Sequence, residues 1–147
     1  MKDCTMEIRI SNKLYRELCM LVEKAYPNEC CAVLTGKPGE ASETELLELP
    51  ADCRRKSFQI EPMEFYRIEQ ELTDSGKDIL GIFHSHPDAE AILSGEDFRY
   101  MIPGMKYIIL SCIDGRAAEL RGFISDISGQ SGRISLKELT ICIEQKK

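Results

Sequence analysis

A chain of 147 residues, 43% hydrophobic and 30% charged, suits a single domain and is long enough to bury a real core. Its formal charge of −6 speaks against nucleic acid or an anionic membrane surface as a partner and suits a partner with a basic face. No apolar run is long enough to span a bilayer, and Met1 to Glu7 lacks the apolar core of an export signal. The expectation is one domain over residues 1–147, in the cytoplasm, with no nucleic acid and no membrane partner.

Met6-Glu7-Ile8-Arg9-Ile10 alternates apolar and polar and predicts a first strand. Ser11 can cap a helix from Asn12 to about Ala25, whose Leu14, Leu18, Leu21, Val22 and Ala25 recur at helical spacing, and Pro27 ends it. Glu29 to Thr35 predicts a second strand, Gly36 to Glu40 a turn, and Thr44 to Leu49 a third strand closed by Pro50. A polar loop with the basic run Arg54-Arg55-Lys56 follows, then a short strand from Ser57 to Ile60. Pro62 suits the first turn of a helix through Leu72, with Phe65, Ile68 and Leu72 on one face. Ile79 to Phe83 is a short apolar run that reads as a buried strand. Beyond Pro103-Gly104, Tyr107 to Ile113 predicts a central strand, and Asp114-Gly115 a hairpin turn into Ala117 to Ile124. A Gly/Ser-rich turn from Ser128 to Gly132 precedes an alternating last strand, Ile134 to Ile143. Strands outnumber helices and many neighbours look antiparallel, which predicts an α+β domain: a curved mixed sheet with flanking helices.

The seven cysteines are odd in number, form no Cys-x-x-Cys and follow no export signal, so reduced thiols are the simplest account. Cys30 and Cys31 are adjacent, so on a strand they face opposite ways. Packing as small hydrophobes explains them without calling on a metal.

The densest chemistry lies in Gly81-Ile82-Phe83-His84-Ser85-His86-Pro87, which contains both histidines of the chain. On a strand, residues i and i+2 share a face about 6.5–7 Å apart, so two imidazoles at that spacing can converge on one metal ion. Pro87 has no N–H to donate and stops the strand there. Downstream, Ser94-Gly95-Glu96-Asp97 followed by Phe98, Tyr100, Met101 and Ile102 predicts a short helix. Alone, that pattern is a capping box. Beside His-x-His it offers Asp97 as an oxygen ligand, and two histidines with one carboxylate leave a fourth position open on a tetrahedral zinc, as in catalytic sites. Asp88 and Glu90, between the histidines and Ser94, read as solvated loop residues.

His84-x-His86-Pro87 and Ser94-x-x-Asp97, with Pro27-Asn28-Glu29-Cys30-Cys31-Ala32-Val33-Leu34-Thr35-Gly36 upstream, resemble the metal motif and glutamate segment of the JAMM (MPN+) metalloproteases, in particular compact prokaryotic members. The order of elements agrees over nearly the whole chain, and no motif position departs from the pattern. The resemblance implies an MPN-like domain of the cytidine-deaminase-like class and one zinc per chain on His84, His86 and Asp97. It makes Glu29 the general base, near the water and off the metal, and Ser94 a donor to the oxyanion. Read from the residues alone, Glu29 is equally a solvent-facing glutamate at a strand end, and Ser94 a helix cap. The resemblance further implies cleavage after the C-terminal Gly-Gly of ubiquitin or a ubiquitin-like protein, with an activating enzyme as a further partner. Precursor processing, deconjugation and removal of an adduct from a sulfur carrier all fall within that activity. The alternative is a non-catalytic MPN scaffold or interaction domain, but such relatives usually lack motif residues that this chain has. A deaminase-type zinc hydrolase would need His-x-Glu and a later Cys-x-x-Cys, and neither occurs.

Overall fold

A computed structural model describes residues 6–37, 45–48, 62–93, 101–128 and 133–145. The first strand, β1 (Glu7–Ser11), runs directly into α1 (Asn12–Ala25). Ser11 caps the helix as its sequence demands, its Oγ accepting from the Leu14 N–H at 3.0 Å. Leu14, Leu18 and Val22, spaced by four, form the buried stripe of α1, and each such leucine removed from water contributes about 1.5–3 kcal/mol. The helix closes with the Tyr26 N–H donating to the Val22 carbonyl at 3.0 Å.

Then come β2 (Cys31–Gly36), β3 (Glu45–Glu48), α2 (Pro62–Asp74), β4 (Asp78–Pro87), β5 (Lys106–Ile113), β6 (Arg116–Ser128) and β7 (Arg133–Glu144). Among the described residues the strands form one seven-stranded sheet in the order β1-β7-β6-β5-β4-β2-β3. It is mixed: β4 with β5 and β1 with β7 are parallel, and the other pairs are antiparallel. The fold is α+β, as expected. Asp114 and Gly115 both have positive φ, 51° and 83°, the signature of the two-residue turn that matches strand twist. The predicted strand at Ser57 to Ile60, the basic run Arg54-Arg55-Lys56 and residues 94–100 of the predicted helix after Ser94 lie outside the described residues, and Met101 and Ile102 at its end are not helical.

Central strands are buried on both faces, which is why β5 reads as a continuous apolar run. Ile108, Leu110 and Cys112 face the core under α1. Tyr107 and Ile109 alternate with them into a second core on the other face, with Val33, Ile82 and Ile68 of α2. Two elements differ from the sequence reading. β2 begins at Cys31 rather than Glu29, because the Cys30 N–H is taken by a side chain, the Ser85 Oγ at 2.9 Å, instead of a ladder carbonyl. β6 continues to Ser128 because β7 pairs with its second half, from Gly122↔Leu139 to Ser128↔Arg133. No described helix is long and apolar enough to cross a membrane.

Candidate active site

β4 carries both histidines between two partners. His84 lies opposite Cys31 of β2 and beside Ile109 of β5, while His86 lies beside Ser111. The period of two puts both imidazoles on the face of Ile82, the side on which α2 packs. His84 is fully buried and His86 half-buried. Their Nε2 atoms approach to 3.1 Å, with ring centroids 4.9 Å apart and planes tilted by 56°. Two nitrogens on one tetrahedral zinc, each about 2.0–2.1 Å from it, stand about 3.3 Å apart. The observed separation is close to that, and is also the length of a hydrogen bond between the two rings.

The rotamer of His86 is set from behind. Its Nδ1 lies 2.8 Å from the Glu90 carbonyl oxygen. A carbonyl only accepts, so Nδ1 carries the proton, and in the neutral ring Nε2 keeps its lone pair toward His84. A ligating histidine is ordinarily held this way, by an acceptor on its far nitrogen.

Glu29 is exposed and stands in the connection between α1 and β2. The Ser85 N–H donates to the Cys30 carbonyl at 3.0 Å, extending the Cys31↔His84 register backward. Glu29 is the residue just before that tie. Ser94 and Asp97 lie outside the described residues. Among the described residues no three His, Cys, Asp or Glu side chains converge as a metal site. Cys30 and Cys31 face opposite ways, as expected of a strand: both are buried, one in each core. No disulfide joins any of the five described cysteines.

Asp88 is more than the solvated loop residue that its polarity suggested. Its Oδ2 accepts from the Tyr26 hydroxyl at 2.6 Å, and its Oδ1 from the Asp114 N–H at 2.9 Å. The hydrogen bond to Asp88 pushes the Tyr26 phenol up to about 12, and the same bond, followed by that from Asp114, holds the Asp88 carboxyl below the usual carboxylate range. The acceptor role of the Glu90 backbone has no signature in side-chain identity, so sequence reasoning missed it too.

Residues 11–122 match the family described as prokaryotic homologs of the JAB domain. Over 93 residues the chain is 32% identical to the desampylase of Haloferax volcanii, a stretch covering 61% of this chain and 66%, just under two thirds, of that protein. Among solved structures, a protein from Desulfitobacterium hafniense superposes with a TM-score of 0.71 at 23% identity, over 94% of this chain and 93% of that one. A JAB1/MPN domain protein from Archaeoglobus fulgidus superposes with a TM-score of 0.55 at 20% identity, over 92% of this chain and 97% of that one.

Proposed function

The chain belongs to the prokaryotic branch of the JAMM/MPN (JAB domain) family, and from that premise we propose that it is a zinc-dependent hydrolase of ubiquitin-like proteins, cutting the peptide or isopeptide bond after their C-terminal Gly-Gly. The observation that carries the reading is the 3.1 Å approach of the His84 and His86 Nε2 atoms, with the far nitrogen of His86 already engaged. The relative named desampylase supports a ubiquitin-like protein as substrate. We read the enzyme as a single cytoplasmic domain that works with an activating enzyme as a further partner.

The donor set fits zinc: two imidazoles from β4 and, as third ligand, the Asp97 carboxylate. When bound, zinc supplies a Lewis acid that polarises the scissile carbonyl and brings the pKa of a coordinated water toward about 7. The chain's own groups then complete the chemistry. Glu29 takes the proton of the attacking water and passes it to the leaving amine. The Ser94 hydroxyl donates to the carbonyl oxygen as it gains charge. The Glu90 carbonyl keeps His86 in one tautomer throughout. An extended substrate tail adds beside the site by backbone hydrogen bonds, and glycines pass where side chains would meet the walls.

Protein prepared without chelators and supplied with zinc should carry one zinc per chain, and should release the extension from a ubiquitin-like protein bearing one after Gly-Gly. His86→Ala should lose both metal and cleavage. Folded wild-type protein devoid of metal would end the zinc reading. Efficient hydrolysis of generic peptides, or indifference to leucine in place of the penultimate glycine, would end the substrate reading.

A further inference from the structure

The His86 tautomer depends on a carbonyl four residues ahead of it, and what holds that carbonyl lies elsewhere in the fold. After Pro87 the chain turns back on itself so that the Glu90 oxygen reaches His86 Nδ1 at 2.8 Å. The turn begins at Asp88, whose φ of 52° is a left-handed conformation that Asp adopts more readily than most residues, through local hydrogen bonds of its side chain. Three hydrogen bonds hold it. The Asp88 N–H donates to the Cys112 carbonyl near the end of β5 at 2.7 Å. Its Oδ1 accepts from the Asp114 N–H in the β5–β6 turn at 2.9 Å. Its Oδ2 accepts from the Tyr26 hydroxyl at the end of α1 at 2.6 Å. The Tyr26 ring rests against that same turn: a Cβ at Gly115 would sit 3.7 Å from it, in ordinary contact.

We propose that Tyr26 and Asp88 are positioning residues that pin the loop after β4, holding the Glu90 carbonyl on His86 Nδ1 and thereby fixing the tautomer and direction with which His86 Nε2 meets the metal. The significance for zinc rests on the reading of His84 and His86 as ligands. The clamp itself does not, because the tautomer can be read without metal. The ring of a solvated histidine side chain prefers the proton on Nε2, the nitrogen this ligand must keep bare, so a released loop gives up the ligating form. Partners in the outer shell of a metal site are ordinarily worth 10- to 100-fold in metal affinity.

The chain has two histidines, so a long-range proton–nitrogen spectrum of the metal-free, full-length protein at about pH 8, where imidazoles are neutral, resolves each tautomer, with His86→Ala supplying the assignment. Wild-type His86 should be protonated at Nδ1. Tyr26→Phe, which removes one hydroxyl and keeps the ring, should give a mixture of tautomers and about 10-fold weaker zinc in chelator competition. Asp88→Ala should move further toward Nε2 protonation and weaken zinc by about 100-fold. If Asp88→Ala does not fold, Tyr26→Phe decides alone. Folded variants that keep the Nδ1–H tautomer overturn the proposal even where the melting temperature or zinc affinity falls, because the hydrogen bonds would then serve the fold or act by another route. A wild-type protein that fails to bind zinc while these tautomer shifts occur would refute the metal reading and leave the clamp standing.

Discussion

Glu29 is exposed, in a connection whose next residue is already tied to β4 through the Ser85 N–H. Its proposed role is that of the general base. Glu29→Gln keeps the shape and removes the proton acceptor, so zinc content should stay at one per chain while turnover falls by about 10²–10⁴-fold. Elemental analysis beside a cleavage assay separates the outcomes: loss of zinc would make Glu29 a ligand, and unchanged turnover would move the base elsewhere. The histidine pair was legible in the sequence because the period of a strand is a local rule, and the same rule placed Cys30 and Cys31 on opposite faces. Asp88 was not legible. Its partners Tyr26 and Asp114 lie 62 and 26 positions away, and no local periodicity connects them.

α1 was legible to both ends because its signals are local too: a serine cap, apolar residues spaced by four, and a proline beyond. Ser11→Ala removes the cap seen at the Leu14 N–H and should cost about 1 kcal/mol of folding stability. Leu18→Ala, at a fully buried position, should cost about 2–5 kcal/mol. Urea unfolding measures both, and zinc stoichiometry of the folded protein should be untouched, since α1 packs on the face away from the histidines. Equal costs for the two would mean that the helix packs less tightly than its burial indicates. The start of β2 was misplaced for a physical reason: the Ser85 hydroxyl substitutes for a ladder carbonyl at Cys30, and a side-chain substitution of that kind leaves no trace in the apolar pattern. The parallel pairing of β4 with β5 is equally invisible locally, because it depends on where the long connection carrying Ser94 and Asp97 returns.

At the scale of the molecule, Tyr107 reports on global integrity. Burial, opposed by the Ile102 N–H donating to its oxygen at 2.7 Å, pushes its phenol up to about 12, above the roughly 10 of an unfolded chain. A folded value that is raised means the neutral form is favoured, so the associated stability is complete below about pH 10 and is lost as pH rises from there toward 12, a change on the order of 2–3 kcal/mol. Wild-type protein should thus lose urea resistance between pH 9 and pH 11 more steeply than Tyr107→Phe, which starts lower for want of the hydrogen bond but has no phenol to ionise. Parallel declines would assign the alkaline sensitivity to other groups. The sheet order bears on how the molecule is made. Among the described residues β1 has a single neighbour, β7, with Glu7 opposite Thr140 and Ser11 opposite Glu144. A ribosome delivers β1 more than a hundred residues before β7, its ladder partner among the described residues, so this pairing waits until the strands between them have been made. The β1–β7 pairing is therefore a late one, and a stall before residue 140 leaves β1, the strand that leads into α1, without that backbone partner.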